Sequence, residues 1–530
     1  MSWMKKTSHL VGMILLLSGC LTVREDQVLK QINAAAAATP TPTPSPCNSS
    51  LSPFGGGTGG AADPYLVCTA THLSNVKDYL SSSFKLYANI NLSGVSFSPI
   101  GTNDSTSALS GEFDGNNFAI SNWSYSNDSD AYAVGFVRKL AAGGVIKNLT
   151  LSALNLNGNN IVAGFAGVSE GSISSVTLLN STLVGKSMVA GIVGEATGSA
   201  SLTTSSVISA SLTSTANGSR IQDHTIKTAI GGVVGLWNST ANLSSVSVLN
   251  TDLDFSKNSS YHDFFSTAAG GVVGFVENAA SLVTDAAFTG AGSILEGYFN
   301  VGGISGYTVG GISESVVNAT VMGNTRVGGV AGFSSGTTTK SSFVGTVLGD
   351  DVDSGISNGF TEGEVGGLIG SHSGFLTESF FSGSVIGDVF VGGLVGTASS
   401  SNIRDCYARG TLSGSADPVA GAFSRVLGGV IERVYVYLTS LSSSTGTAQA
   451  MIGTVISEPT KSNLFYYENG TSPTNGGTPI STDIAMRDIS NFSGYSASGK
   501  WRTPTAYSGR SGLSPVLAWE CSLAGVTCAP

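Results

Sequence analysis

Val365-Gly-Gly-Leu-Ile-Gly370 returns 26 residues later as Val391-Gly-Gly-Leu-Val-Gly396, and the recurrence of this block decides the fold. Further copies are Val162-Ala-Gly-Phe-Ala-Gly167, Val189-Ala-Gly-Ile-Val-Gly194, Ile230-Gly-Gly-Val-Val-Gly235, Ala269-Gly-Gly-Val-Val-Gly274, Val301-Gly-Gly-Ile-Ser-Gly306 and Val327-Gly-Gly-Val-Ala-Gly332. Weaker copies lie at Ala133–Val137 and Val419–Phe423. Counted at the third residue, from Gly164 to Gly421, the intervals are 27, 41, 39, 32, 26, 38, 26 and 28. A basal period of this size, with insertions in some units, is the signature of a solenoid.

Each block is followed by a strand-like stretch such as Ile173–Leu178, Ile312–Val317, Leu376–Phe381 or Ile403–Ala408, and then by a third apolar position at Leu183, Val321, Val385 or Leu412. Three short extended segments per unit describe one coil of a parallel β-helix, with β-branched residues packed inward. The block glycines are expected to supply positive φ at its corners. No stretch of the body keeps a 3.6-residue apolar period, so helix is a minor component. The expected fold is all-β: a right-handed parallel β-helix, or β-solenoid, of about a dozen coils with capped ends. At a rise of ~4.8 Å per coil, the rod is roughly 55–60 Å long.

Composition agrees. Charged residues are 11% of the chain, against about 25% in an average soluble domain. Glycine reaches 71 residues, and hydrophobic content of 41% argues against disorder. The formal net charge is -10; residues 1–19 carry only Lys5 and Lys6, so without them it is -10 - 2 = -12. No basic patch interleaved with aromatics is present, so nucleic acid is not expected as a partner.

The amino terminus has a basic pair (Lys5, Lys6), an apolar run from Leu10 to Leu17, and Leu17-Ser-Gly-Cys20. It resembles a bacterial lipoprotein signal peptide: the run is too short to span ~30 Å of hydrocarbon, and small residues precede the cysteine. The resemblance implies lipidation of Cys20, and Leu21 at the next position leans towards the outer membrane or cell surface. Asn33–Pro46, with its alternating Thr-Pro pairs, reads as an extended tether of roughly 3 Å per residue. The expected divisions are a signal peptide (1–19), a lipidated tether (20–64), a lead-in segment and cap (65–130), the solenoid (131–470) and an exit segment and cap (471–530).

The repeated block closely resembles the GLUG-repeat family, found in bacterial adhesin-like surface proteins and in immunoglobulin-A-cleaving metallopeptidases. Thr71–Val76, Phe84–Ser93, Pro99–Gly101 and Gly111–Asn122 resemble the segment that precedes such repeats, while Ile480–Tyr495 and Ser514–Trp519 resemble the segment that follows them. The likeness covers roughly residues 65–520. The aromatic-rich stretches Phe84–Trp123 and Trp501–Trp519 are expected to cap the two ends. The peptidase branch owes its activity to a zinc domain with His-Glu-x-x-His, which this chain lacks; its histidines are His9, His72, His224, His262 and His372. No nucleophile elbow or phosphate loop is present, and no catalytic residue, metal or cofactor is expected.

Of six cysteines, Cys20 is assigned to lipid; Cys47 with Cys68 and Cys521 with Cys528 are candidate disulfides in an oxidising compartment. Cys406 falls at an offset shared with Leu149, Val176, Val246, Ser315, Ser342 and Ser379, which makes it a small buried core residue. Glu314, Glu378 and Asp405 share an outward offset with Lys340 and Arg404 beside them and Ser341 interrupting; such a row could hold calcium for a polysaccharide lyase, or merely solvate the rod.

Three insertions precede Gly-Gly blocks: Thr213–Ala229, Thr251–Ala268 and Gly349–Glu364. Entering at one phase, they should emerge on one edge, where repeat proteins bind partners. Their candidate ligand-binding residues are Arg220, Asp223 and His224; Tyr261, His262, Asp263, Phe264 and Phe265; and Asp350, Asp351, Asp353 and Phe360. The expected function is that of a lipid-anchored, monomeric, non-enzymatic adhesin or recognition protein, binding a cell-surface protein or glycan through these loops. The alternatives are a passive envelope protein and a polysaccharide-acting β-helix enzyme.

Overall fold

The Gly-Gly blocks lie one above another in a single ladder. The structure is a computed structural model that describes residues 46–528 apart from 102–106, 128–132, 216–226, 256–265, 350–362, 417, 445, 447, 468–475, 508–513 and 523–525. The blocks begin the nine strands of one parallel sheet: Ile161–Ala163, Met188–Ala190, Thr228–Gly231, Thr267–Gly270, Phe299–Gly302, Thr325–Gly328, Val365–Gly366, Val391–Gly392 and Val419–Ala420. Val162 pairs with Val189, Val189 with Ile230, and the register continues through Ala269, Val301, Val327, Val365 and Val391 to Val419. The remaining strands of each coil join a 33-stranded parallel network, so the body is an all-β parallel β-helix. One coil runs Ile161–Ala163, Ala166–Ser169, Ser172–Leu179 and Thr182–Gly185 before returning to Met188. The ladder begins before the blocks do: Phe84–Leu86 pairs onto Glu112–Asp114, which pairs onto Val145–Lys147.

The first block position is inaccessible to solvent in all nine coils, and so is the fourth, from Phe165, Ile192 and Val233 to Leu368, Leu394 and Ala422. These side chains belong to one continuous apolar column. Each Val, Ile or Leu so buried contributes about 1.5–3 kcal/mol relative to exposure.

The block glycines do not make the corners. None has positive φ. The second glycine is needed because backbones meet there: a Cβ on Gly164, Gly191, Gly232, Gly271, Gly303, Gly329, Gly367 or Gly393 would sit 2.0–2.4 Å from the carbonyl oxygen of the equivalent glycine one coil on. The preceding position accepts alanine at Ala163, Ala190 and Ala420.

The left-handed corners fall instead on Asn148, Ser175, Thr204, Ser245, Asp285, Glu314, Lys340, Glu378, Asp405, Arg433 and Asn463, whose φ lies between 46° and 55°. These residues are in register from coil to coil. The kink disturbs the strand ladder, and in several coils the residue after it repairs the bonding. Ser315 Oγ receives Ala286 N–H at 3.3 Å and donates to Ser313 O at 2.8 Å. Ser341 Oγ receives Ser315 N–H at 3.4 Å, and Ser379 Oγ receives Ser341 N–H at 3.2 Å. This serine ladder lets hydroxyls enter the dry column without being left unsatisfied.

The next rung is Cys406, fully buried with Sγ 3.2 Å from Arg404 O; burial pushes its thiol well above the usual cysteine range. Its partner row contains Ser341, not Ser342 as the offset count has it. Ser342 pairs with Phe380 on the outward face, both buried, and Lys340 occupies the corner row that Ser341 was expected to interrupt. The slip has a physical cause. The inward anchor of that strand is Thr338, a polar residue 1% exposed, so no apolar side chain marks the phase.

At the amino end, Phe54 stacks on Tyr65 with ring centroids 4.3 Å apart, and Gly55 and Gly56 exchange hydrogen bonds with Leu66 of the first strand, covering its free edge. At the other end, Trp501 and Trp519 lie along the flank rather than across the tip. There an outward column of Phe380, Tyr407, Tyr435 and Phe465 is in register, its first three rings stacked at 4.9 Å, and the exit segment packs on it. Tyr407 OH donates to Glu520 Oε2 at 2.8 Å and Tyr435 OH to Pro515 O at 2.6 Å. The last parallel rung is Thr478–Ile480, on Phe465–Tyr467.

Two expectations test this account. Gly393→Ala places a Cβ 2.0 Å from Gly421 O and should cost about 2–3 kcal/mol, read as a lowered urea or thermal midpoint. Gly60→Ala, with nothing within 4 Å of the added carbon, should stay within about 0.5 kcal/mol. The second concerns His372, 1% exposed, whose Nδ1 donates to Ser334 O at 3.0 Å. Burial lowers its pKa from 6.5 to about 4. The unfolded chain therefore takes up a proton first as pH falls, and stability from the neutral imidazole is complete above pH ~6.5 and lost progressively towards pH ~4, by about 3 kcal/mol. His372→Leu should remove that part of the pH dependence when urea midpoints at pH 7 and pH 4.5 are compared.

Candidate functional site

The three insertions leave the rod between the same two columns of residues. Thr213 pairs with Asp254, Asp254 with Glu296, Glu296 with Met322 and Met322 with Leu348, which places the ends of the strands before the insertions in line. The strands after them are Thr228–Gly231, Thr267–Gly270 and Val365–Gly366 of the nine-stranded sheet. The insertions are narrower than the expected ranges, because Thr213, Asp252–Asp254, Thr228, Ala229, Thr267 and Ala268 belong to strands. All the candidate ligand residues, from Arg220, Asp223 and His224 through Tyr261, His262, Asp263, Phe264 and Phe265 to Asp350, Asp351, Asp353 and Phe360, lie outside the described residues. Cys20 does so too.

What is described is the base from which the loops rise. The residue after the third glycine of a block points away from the main column, and along this edge it is Leu236, Phe275, Tyr307 and Phe333, in register. Leu236 and Phe275 pack with Met188, Ala229 and Ala268 into a small second core. Tyr307 stacks on Phe333 with centroids 4.7 Å apart. Lys227, at the close of the first insertion, reaches over Phe275 at 4.9 Å and pairs with Glu277 at 3.1 Å. Glu364, at the close of the third, is held by Arg326 at 3.2 Å and Arg425 at 2.8 Å, while Arg326 lies 5.2 Å over Phe333 and Arg425 4.3 Å over Phe390. Burial first, and then Glu277, raise the carboxyl pKa of Glu195 at this edge, with Lys139 opposing. Burial likewise raises Tyr307.

Such a base fixes where a loop starts and ends, through aromatic packing and ion pairs that little water reaches. Leu236, Phe275, Tyr307, Phe333, Glu277, Arg326 and Arg425 were not singled out from the sequence. The signal was nevertheless there, since the position after Gly235, Gly274, Gly306 and Gly332 is large and apolar in four successive units.

The acidic row is already occupied by protein partners. Glu314 faces Lys340 at 3.6 Å, and Lys500 Nζ binds Glu378 at 2.7 Å. Asp405, 5% exposed, takes Arg433 Nε at 2.7 Å, Arg433 Nη2 at 2.9 Å and Trp501 Nε1 at 2.8 Å. Arg404 pairs with Glu432 at 3.5 Å. These contacts fasten corners and the exit segment. Disulfides join Cys47 to Cys68 and Cys521 to Cys528.

Residues 391–413 match the family described as the GLUG motif. The chain carries the GLUG motif there. The chain is similar to a Gly-rich membrane protein of Evansella cellulosilytica, 33% identical over 109 residues, 19% of this chain and 12% of that one. It is also similar to Halomucin of Haloquadratum walsbyi, 30% identical over 131 residues, 22% of this chain and 1% of that one. The chain thus spans only a small part of the length of either relative. Among solved structures, an immunoglobulin A1 protease-type protein from Bacteroides ovatus aligns over 88% of this chain and 95% of its own at 13% identity and a TM-score of 0.29, too loose a likeness to inform function.

The base predicts its own sensitivity. Glu364→Gln removes the charge that Arg326 and Arg425 share in a site where Glu364 is 7% exposed, and it should cost about 2 kcal/mol in the unfolding midpoint. Glu314→Gln, at an exposed pair, should change it by less than about 0.5 kcal/mol.

Proposed function

We propose that this GLUG-repeat chain is a non-enzymatic cell-surface recognition protein, lipid-anchored through Cys20, that binds a protein or glycan on another surface through the insertions along one edge of its solenoid. The observation that carries the reading is the common phase of the three insertions, the first and third of which close on ion-paired residues, Lys227 and Glu364, beside aromatic rings. Insertions accepted only because loops are cheap would have no reason to share one edge or to be anchored there. A relative named as a membrane protein agrees with a place in the cell envelope. Among the described residues no helix is long and apolar enough to cross a membrane; in this reading the lipid and the proline tether supply the attachment. The ion-paired state of Glu314, Glu378 and Asp405 weighs against the polysaccharide-lyase alternative.

The test is to delete residues 256–265, keeping the strands that end at Asp254 and resume at Thr267, and to measure binding to cells and to a glycan array. Binding should fall by about tenfold or more, with the thermal midpoint retained. Attachment that stays the same in this deletion and in one lacking all three insertions would leave the passive envelope role.

A further inference from the structure

In the amino-terminal cap, Cys47 Sγ, Cys68 Sγ and a ring nitrogen of His72 all lie within 4.8 Å of one another. His72 is 2% exposed and Cys47 9% exposed. The imidazole is held in one orientation. Its Nε2 donates to Leu51 O at 2.9 Å, so Nδ1 carries the lone pair, and it accepts Cys68 N–H at 3.4 Å while lying 3.6 Å from Cys68 Sγ. The short helix Ala70–Asn75, capped by Thr69 Oγ1 receiving His72 N–H, sets His72 four residues beyond Cys68 and turns it back onto the sulfur.

A histidine that spends one nitrogen on a backbone carbonyl and aims the other at a cysteine sulfur has the arrangement seen around bound metals, where that carbonyl fixes tautomer and ring direction. Two sulfurs and one imidazole are a soft donor set suited to Zn²⁺, with a fourth position left for water or a substrate group. We propose that Cys47, Cys68 and His72 form a redox-gated zinc site: the cap is closed by the disulfide when oxidised and by Zn²⁺ when reduced. A phosphine reductant and one water convert the disulfide to two thiols and leave as the phosphine oxide. Zn²⁺ then replaces the two thiol protons, which are released to solvent, and His72 Nδ1 completes the protein ligands without changing its protonation. The two closures exclude each other because they use the same sulfur electrons, and either keeps Phe54 on Tyr65 and the Gly55–Leu66 bonds in place.

The experiment uses the full chain carrying Cys521→Ser and Cys528→Ser, so that the other disulfide contributes no thiols. After anaerobic reduction with a water-soluble phosphine it is titrated with Co²⁺ as the optical probe. One equivalent should bind, with thiolate-to-cobalt charge transfer in the near ultraviolet and the strong visible bands of a tetrahedral ion. The oxidised chain should show neither, and His72→Ala should weaken binding by about a hundredfold. Absence of the thiolate band in the reduced chain, or an unchanged titration in His72→Ala, overturns the site. Because His72→Ala could loosen the cap by itself, a second measurement uses the unsubstituted residue: Zn²⁺ added to the reduced chain should restore resistance of residues 46–80 to limited proteolysis, and failure to do so also overturns the proposal.

Discussion

The whole rod depends on one backbone approach. Wherever the second glycine of a block passes its equivalent in the next coil, the notional Cβ would lie 2.0–2.4 Å from a carbonyl oxygen, so no side chain of any kind fits. Coils can then close to the spacing of paired strands, and only at that spacing do the Val, Ile and Leu rows above and below touch and exclude water. The constraint acts on sterics rather than on φ, and the second glycine is kept in every coil from 164 to 421; the glycine before it is crowded as well, with a notional Cβ 1.8–2.3 Å from a carbonyl oxygen of its own coil, although alanine stands at that position at 163, 190 and 420. Corners obey a different rule. A single left-handed residue turns the chain and can be Asn, Ser, Glu, Lys or Arg, provided that it sits in register and the next amide finds an acceptor. Serine supplies that acceptor from inside the coil, so a Ser-rich sequence is compatible with a dry core.

This division also explains which parts of the structure could be read from the amino-acid sequence. The coil stacking was legible because the glycine contact leaves no choice of residue and repeats in every unit. The phase of the insertions was legible for the same reason, since each one abuts a block. The row containing Cys406 was legible only to within one residue: Thr338 stands where an apolar anchor would mark the phase, and Ser341 and Ser342 are then equivalent by pattern. The positive φ assigned to the block glycines was a misreading of what glycine is for at these positions. The flank position of the exit segment had no local signal at all. Phe380, Tyr407, Tyr435 and Phe465 are single aromatics at outward positions in separate units, and their meaning appears only when the register aligns them into one column. At the loop edge, Leu236, Phe275, Tyr307 and Phe333 form a comparable outward column, whose regularity could have been counted from the third glycine.

The few charged residues of this chain are not spent evenly on solubility. Several of the best-formed ion pairs are in two places, the base of the insertions and the flank under the exit segment. At the first, Glu364 ties Arg326 to Arg425, residues 99 apart in sequence (425 - 326). At the second, Lys500 and Trp501 reach back to Glu378 and Asp405. Desolvating such groups offsets much of their attraction, so they add little net stability beyond what apolar packing would give. What they do provide is discrimination. An apolar column accepts a neighbouring coil in almost any vertical order, because one Val-Gly-Gly face resembles the next.

A carboxylate placed one coil too high or too low would be buried without its guanidinium, at a cost of several kcal/mol. Repetition therefore builds the rod, and sparse charge pairs decide which coils carry the parts that do not repeat. A solenoid assembled this way can gain or lose plain coils with small effect on its core, since each contacts only its neighbours. It cannot exchange the coils around Glu364 or Asp405 without stranding a charge. The loop-bearing edge and the flank are thus pinned to fixed heights on an otherwise uniform column.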